Sequence, residues 1–246
     1  MELRTVAYPK VNIGLYIGKK RADGYHSLIS IFHIVEDKKY FDEIDIKIDD
    51  SKDLKIEICG LDEIADSKNN TVFKACSLFF AKTGIRADVH INVKKGIPSL
   101  AGLGGGSSDA GAVLLVLNSY YGRLNKEELN SLALEIGSDV PFFVSGCQCA
   151  VVEGRGEIIT PIKPRNDLVF KLVGTDFKKV GTGFAYEQLD RRSVISKLPL
   201  KNRLIEMYYK PVSEWTFYND FHNLYKIEEN LFLTGSGAYC FSVEEL

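Results

Sequence analysis

The segment that most constrains this chain is Pro98-Ser99-Leu100-Ala101-Gly102-Leu103-Gly104-Gly105-Gly106-Ser107-Ser108-Asp109, between a strand-like run, Val89 to Val93, and a helix-like run, Gly111 to Tyr121. Four glycines in the five positions from Gly102 to Gly106 strip most Cβ atoms from the loop, so its backbone can take positive φ and approach a ligand closely. The serines and Asp109 stand where a helix begins. The N–H groups of a first helical turn have no intrahelical partner and carry partial positive charge. Strand, glycine loop and helix together read as a phosphate cradle, with Pro98, Gly102, Leu103, Gly104, Gly105, Gly106, Ser107 and Ser108 as its candidate contacts. The alternative is a glycine-rich turn capped by Ser107 or Asp109. Neither common nucleotide fingerprint fits, because no lysine follows the glycines and the dinucleotide spacing counted from Gly102 fails at Ser107.

At 246 residues the chain is long enough for one large domain or two small ones. A net charge of −2 argues against a general polyanion-binding surface, so no nucleic-acid partner is expected. The basic clusters Lys19-Lys20-Arg21, Lys38-Lys39, Lys178-Lys179 and Arg191-Arg192 read as solvated faces, and only Lys94-Lys95, just before the loop, is a candidate to touch phosphate. The N-terminus lacks the pattern of a secretory signal, and the longest apolar run, Ala110 to Leu117, is far short of a membrane span. A cytoplasmic protein is the expectation. Among the five cysteines, Cys147-Gln148-Cys149 suggests metal, yet no second pair or nearby histidine completes a site. Buried or half-buried free thiols are expected instead.

Along the chain, Thr5–Tyr8 and Asn12–Ile17 read as strands broken at Pro9, which offers Lys10 near a strand junction. Asp23-Gly24 is a turn signal that delivers Tyr25 and His26 side by side. Strands follow over Ser27–Val35, Glu43–Ile48 and Leu54–Cys59. Asn70 reads as the N-cap of a helix to about Lys82, and Asn125 as the cap of one over Lys126–Ile136. Gly137 ends that helix, and Ser138-Asp139-Val140-Pro141 starts a short further turn. Cys149–Glu153 and Glu157–Ile162 are strands split by Gly154-Arg155-Gly156, where a domain boundary is expected, giving halves 1–155 and 156–246. Later come a strand at Leu168–Val173, helices at Thr182–Arg192 and Lys201–Tyr209, an aromatic helical stretch at Ser213–His222, and strands at Asn230–Thr234 and Ala238–Ser242. Helices and strands mix without regular alternation, so the fold class is α+β.

Taken in order, Pro9-Lys10-Val11-Asn12, Arg21 to His26, Gly102 to Ala110, Gly137 to Phe143, Gly154 to Glu157, Asn219-Asp220 and Thr234 to Gly237 resemble the motifs of a superfamily of small-molecule kinases. Its members include galactokinase, homoserine kinase, mevalonate kinase and phosphomevalonate kinase. Within it, the chain looks most like the 4-diphosphocytidyl-2-C-methyl-D-erythritol kinases of the non-mevalonate isoprenoid route. The resemblance implies an N-terminal half like ribosomal protein S5 that carries the ATP-binding loop, and a ferredoxin-like C-terminal half that closes on the substrate. It implies transfer of the γ-phosphate of ATP, with Mg²⁺ carried by the ATP, to the 2-hydroxyl of a methylerythritol joined through diphosphate to cytidine. Lys10 and Asp139 match the catalytic pair and Asn12 a contact to the polyol. Tyr25 and His26 match the cytosine-recognition pair, Tyr186 falls at a second aromatic that sandwiches the base, and Asn70 and Lys95 fall where adenosine is contacted.

The metal's protein ligands are unknown, with Ser107 or Ser108 as the candidates, and the oligomeric state is open. Two departures stand out: the connection from Asn219-Asp220 to Thr234 is short, and Gly181-Thr182-Gly183 precedes Tyr186 where the family has other small residues. A homoserine- or mevalonate-type kinase and a non-catalytic nucleotide-binding protein are the competing readings.

Overall fold

The computed structural model describes residues 1–61, 70–177, 181–191 and 197–246. Its strands are β1 (Glu2–Ala7), β2 (Lys10–Lys20), β3 (His26–Ile34), β4 (Asp42–Asp50), β5 (Lys55–Cys59), β6 (Ala87–Lys94), β7 (Cys149–Gly154), β8 (Ile158–Pro161), β9 (Leu168–Gly174), β10 (Phe232–Leu233) and β11 (Tyr239–Glu245). Its helices are α1 (Thr71–Thr83), α2 (Gly105–Tyr121), α3 (Lys126–Ile136), α4 (Val140–Val144), α5 (Thr182–Arg191) and α6 (Lys201–Tyr208). Two compact units are interleaved in sequence: Met1–Pro9, Glu36–Pro98 and Gly105–Gly146 make the first, and Lys10–Val35, Ser99–Gly104 and Cys147–Leu246 the second. Residue 155, where a division between continuous halves was expected, lies inside the second unit, in the hairpin between β7 and β8.

The first unit is a sheet in the order β1-β4-β6-β5, antiparallel except for the β5–β6 pair. Strand alternation builds it: Ile44, Ile46 and Ile48 of β4 and Val89, Ile91 and Val93 of β6 are buried, while Asp45, Lys47, His90 and Asn92 face away. Val72, Phe79 and Phe80 of α1 and Val113, Leu114 and Leu117 of α2 complete that core. Burying each such side chain is worth about 1.5–3 kcal/mol. The outer face is laced by exposed ion pairs such as Arg4–Asp45 at 2.6 Å and Lys94–Glu43 at 3.2 Å, which solvent screens so that they add little to stability.

Caps appear where the sequence places them. Asn70 Oδ1 accepts from Val72 N at 2.8 Å, and Asn125 forms a reciprocal capping box with Glu128. Helix α2 starts at Gly105, well before the apolar run begins, because its first turn is glycine and serine and carries no periodic signal.

The second unit contains the antiparallel sheet β2-β3-β7-β8 and the antiparallel sheet β10-β11-β9. A register shift at Gly14, whose φ is +71°, opens β2 so that Leu15 N donates to Tyr218 O at 2.8 Å. The stretch Ser213–His222 is not the helix that its composition suggests. It holds short 3-10 turns at Val212–Glu214 and Asp220–Leu224, with Thr216–Tyr218 outside any helix. Tertiary bonds override the helix: Asn219 Nδ2 donates to Leu233 O and Gly235 O, both at 3.0 Å, and Asp220 Oδ2 accepts from Ile17 N at 2.6 Å. The strand expected over Asn230–Thr234 shrinks to Phe232–Leu233. Arg192 and Lys178-Lys179 lie outside the described residues. Cys76, Cys149 and Cys240 are buried free thiols as expected, whereas Cys59 is exposed. Burial pushes Cys76 and Cys149 up to about 12, so these two thiols are chemically quiet. Among the described residues no His, Cys, Asp and Glu cluster suits a metal, and no helix is long and apolar enough to cross a membrane.

His33 on β3 is buried against Phe170, their ring centroids 4.6 Å apart. Its Nδ1–H donates to Ile34 O at 2.7 Å, and Nε2 has no partner among the described residues. Burial lowers its pKa, since protonation would leave a charge in an apolar place. The unfolded chain therefore binds the proton more readily. Stability from this group is complete above an ordinary histidine pKa of about 6.5 and is lost as pH falls through the lowered folded value. Thermal melts from pH 8 to pH 5 should show stability falling in that window, and His33→Phe should flatten the fall. An unchanged slope in His33→Phe would assign the acid sensitivity to another group.

Candidate active site

In the second unit the functional candidates are tied together by backbone. Lys10 and Asn12 are neighbours on one face of β2, both almost fully buried. Lys10 Nζ donates to Asn12 Oδ1 at 2.5 Å and to Gly102 O at 3.1 Å, and sits 4.8 Å from the centroid of the Phe32 ring. Asn12 Oδ1 also accepts from Gly235 N at 2.9 Å, Asn12 N donates to Thr234 Oγ1 at 3.1 Å, and Asn12 Nδ2 donates to Ser30 Oγ at 3.1 Å. Gly102 and Gly235 explain why two glycine loops meet here. A Cβ on Gly102, at φ +76°, would fall 2.2 Å from Thr234 O, and one on Gly235, at φ +54°, would fall 2.6 Å from Gly102 O. Leu103 O accepts from Lys10 N at 3.0 Å, so the loop's Gly102–Gly104 part is fixed against β2.

The remaining loop candidates belong to the first unit, where α2 begins. A Cβ on Gly105 would lie 2.9 Å from Ile97 Cγ2, so the first turn of α2 packs against the strand exit. Thr71 Oγ1 donates to Gly106 O at 2.7 Å, which brings Asn70 beside the same turn. Ser108 Oγ donates to Tyr8 O at 2.7 Å and is buried, while Ser107 is half-buried. A Cβ on Gly137 would lie 3.9 Å from Ser107 Oγ, so the segment carrying Asp139 borders this turn. Asp139 precedes α4 with its own backbone already in helical conformation, and its side chain makes no capping bond. Asp139 therefore does not act as a side-chain cap of α4.

Lys95 does not reach into solvent as a lone cation. Its ammonium donates to Asp42 Oδ2 at 2.5 Å and to Asp109 Oδ2 at 2.7 Å. Burial pulls the Lys95 pKa down, but the two carboxylates outweigh it and the net shift is upward. Burial pushes the Asp109 carboxyl up to about 7, with Asp42 acting in the same direction and Lys95 against both.

The aromatic candidates also fall in the second unit. His26 and Tyr186 rings lie 5.3 Å apart, and Tyr186 meets Phe221 edge-on at 5.1 Å. His26 Nδ1–H donates to Gly18 O at 3.0 Å; Nε2 lies 3.1 Å from Asp190 Oδ1, at ion-pair distance without hydrogen-bond alignment. Tyr25 is half exposed, and its ring carries the Arg155 guanidinium at 4.7 Å. Arg21, Asp23 and Glu157 brace that turn, with Arg21 3.0 Å from Asp23 and 3.4 Å from Glu157.

Comparison with known proteins bears on this geometry. The family model of the GHMP kinases N terminal domain matches residues 70–147. A 4-diphosphocytidyl-2-C-methyl-D-erythritol kinase of Thermodesulfovibrio yellowstonii is 36% identical over 219 residues, covering 88% of this chain and 70% of that protein. The chain belongs to this family of GHMP kinases. The namesake of Persephonella marina is 46% identical over 149 residues, 60% of this chain and 52% of that protein. The chain spans about half to two thirds of the length of the first curated relatives it matches, from 52% to 64%. A crystal structure of 4-(cytidine 5'-diphospho)-2C-methyl-D-erythritol kinase matches with a TM-score of 0.73 at 26% identity, over 97% of this chain and 89% of that one. Homoserine kinase from Cytophaga hutchinsonii, at 14% identity and a TM-score of 0.65, shares the fold alone. The α+β class is thus the GHMP kinase fold.

Several residues around the family's motifs carried no readable local signal. Asp42 is an acidic residue at a strand start, Thr71 follows a cap, and Asp190 sits in an amphipathic helix. Thr234 and Asn219 stood out only as motif members. Their partners are remote in sequence, Thr234 being 222 residues from Asn12. The Gly102 contact is testable. Gly102→Ala should destabilise the fold by about 2 kcal/mol or more, since left-handed backbone alone costs an L-residue about 1–2 kcal/mol and the added methyl meets a carbonyl oxygen. Denaturant unfolding at wild-type stability would show that the two glycine loops do not need this approach.

Proposed function

We propose that the chain is an ATP-dependent kinase that phosphorylates the 2-hydroxyl of 4-diphosphocytidyl-2-C-methyl-D-erythritol in the non-mevalonate isoprenoid route, working in the cytoplasm. The observation that carries the reading is the buried Lys10–Asn12 pair, locked to both Gly102 and Gly235, in a chain whose relatives at 36–46% identity bear that kinase's name. Phosphoryl transfer needs alignment and cancellation of charge more than covalent help. A buried ammonium fixed by a carbonyl and an amide oxygen is a preorganised charge of that kind.

In this reading the α2 amides at Gly105–Ser108, the loop from Pro98 through Gly104 and the Ser107 hydroxyl hold the phosphates of ATP. Mg²⁺ arriving with ATP, with Ser107 or Ser108 as the candidates to hold it, would supply neutralisation of the charge that develops on the phosphoryl oxygens. Asp139 accepts the proton of the acceptor hydroxyl, and Lys10 steadies the oxygen that attacks. Asn12 contacts the polyol, and Asn70 and Lys95 border the adenosine. Tyr25, His26 and Tyr186 recognise cytosine: stacking is worth about 1–3 kcal/mol per base without distinguishing bases, so the histidine and nearby backbone must read the edge.

A panel of alcohol acceptors with ATP tests the reaction, and homoserine or mevalonate phosphorylated in preference to the cytidine compound would overturn it. Asp139→Asn should lower turnover by roughly 10²-fold or more, the scale of a lost general base. Stability should fall little, because asparagine keeps the shape of the side chain and one acceptor oxygen while removing the charge. Lys10→Ala should behave alike in turnover, with a double variant scarcely worse than either.

Specificity gives an independent check. The uridine analogue should be rejected, since uracil reverses donor and acceptor and leaves polar groups unpaired at about 1–3 kcal/mol each. Free methylerythritol phosphate should lose turnover as well as affinity, because base binding positions the hydroxyl. Equal kcat/KM for cytidine and uridine forms would remove the base pocket from the proposal.

A further inference from the structure

Two buried carboxylates of the first unit face one ammonium. Asp42 and Asp109 are 0% and 1% exposed. Asp42 Oδ1 accepts from Gly96 N at 2.6 Å and from Ile97 N at 2.8 Å, while its Oδ2 takes Lys95 Nζ at 2.5 Å. The same Nζ reaches Asp109 Oδ2 at 2.7 Å, inside the first turns of α2, and a Cβ on Gly105 would lie 3.5 Å from it. One side chain therefore joins the residues entering the glycine loop to those leaving it. We propose that Asp42, Lys95 and Asp109 form a positioning clasp that holds the loop entry, Lys95–Ile97, against its exit, Gly105–Asp109, and so sets the α2 amides for the phosphates of a nucleotide.

The charge balance argues for a geometric service. With both carboxylates ionised the cluster carries a net negative charge beneath a turn proposed to receive an anion, and with Asp109 protonated it carries none, so charge alone does not favour phosphate. Nor does the arrangement favour the fold, since burying ionised groups is costly. Burial and Asp42 push the Asp109 carboxyl up to about 7, and its Oδ1 is buried without a partner among the described residues. Perturbed groups of this kind concentrate at functional sites. The clasp explains why the costly carboxylate is there: it fixes where α2 begins relative to the end of β6. Lys95 then acts on the nucleotide through the loop as well as at the border of the adenosine.

The inference rests on the ATP-binding reading, and the experiment separates the two. Affinity for ATP–Mg²⁺ is measured by calorimetry in the unmodified chain, Asp109→Ala, Asp109→Asn, Lys95→Met and the Lys95→Met/Asp109→Ala double variant. Removing a negative charge by itself would strengthen binding; loss of the clasp weakens it. Asp109→Ala should bind about tenfold more weakly, the scale of a lost charge-assisted bond. Asp109→Asn, which keeps an acceptor, should fall between. The double variant should bind no worse than Lys95→Met, since both changes cut one bond.

Amide exchange at Gly96, Ile97 and Gly105–Ser108 supplies a readout that needs no nucleotide. Asp109→Ala should speed it about tenfold there and leave the β4–β6 core unchanged. Unchanged or stronger ATP binding in Asp109→Ala, or unchanged exchange at those amides, would overturn the clasp. If the unmodified chain binds no ATP, the kinase reading falls, while the exchange experiment still decides the clasp.

Discussion

The contact on which the second unit depends is the approach of two glycine backbones, Gly102 and Gly235, with Asn12 bonded into it. Neither glycine tolerates a Cβ at its position, and the Asn12 amide spends its oxygen on Gly235 N and Lys10 Nζ and its nitrogen on Ser30. Buried polar groups of this kind are costly unless fully partnered. Here partners come from β2, β3, the glycine loop and the turn after β10, so the network ties together segments that no single hydrophobic stripe would bring into register. Asn219 extends it by bonding Leu233 O and Gly235 O. Lys10 is held in a fixed place as a consequence of that network.

The first unit solves a different problem. Its core is an ordinary apolar layer between a sheet and α1 and α2, and it needs no polar network to hold. Yet it buries Asp42, Lys95 and Asp109 at the point where β6 hands over to α2. Asn70, Thr71 and the Gly137–Asp139 segment converge on the same turn. Stability in this unit comes from the apolar layer, and polarity is concentrated where the chain must leave a strand and start a helix without side chains in the way.

Much of this was legible in the sequence because it is local. Isoleucine alternating with charge over Glu43–Ile48 has one solution, a strand with one buried face. Asn70 and Asn125 announce helix starts because a side-chain oxygen two or three residues ahead of free N–H groups is sufficient. The glycine loop was visible for the same reason, as was the turn that sets Tyr25 beside His26. Where local signals misled, a longer-range bond had won. The aromatic stretch Ser213–His222 has helical composition, but Asn219 and Asp220 give their side chains to remote backbone and the intervening residues lie outside any helix.

By itself, the sequence determined most of the element types, the caps, the place of the glycine-rich loop, and the ordered motifs that resemble the family's. Each of these is encoded within a few residues. Only the tertiary structure decided that Lys95 is held between two carboxylates, that Asp42 matters at all, that Asp139 does not cap α4, and that Asn12 is fixed by Thr234 and Gly235 more than two hundred residues away. Those are choices of partner, and a buried charge or amide takes whichever complementary group packing brings near. Sequence spacing does not carry that information; the close approach of backbones does.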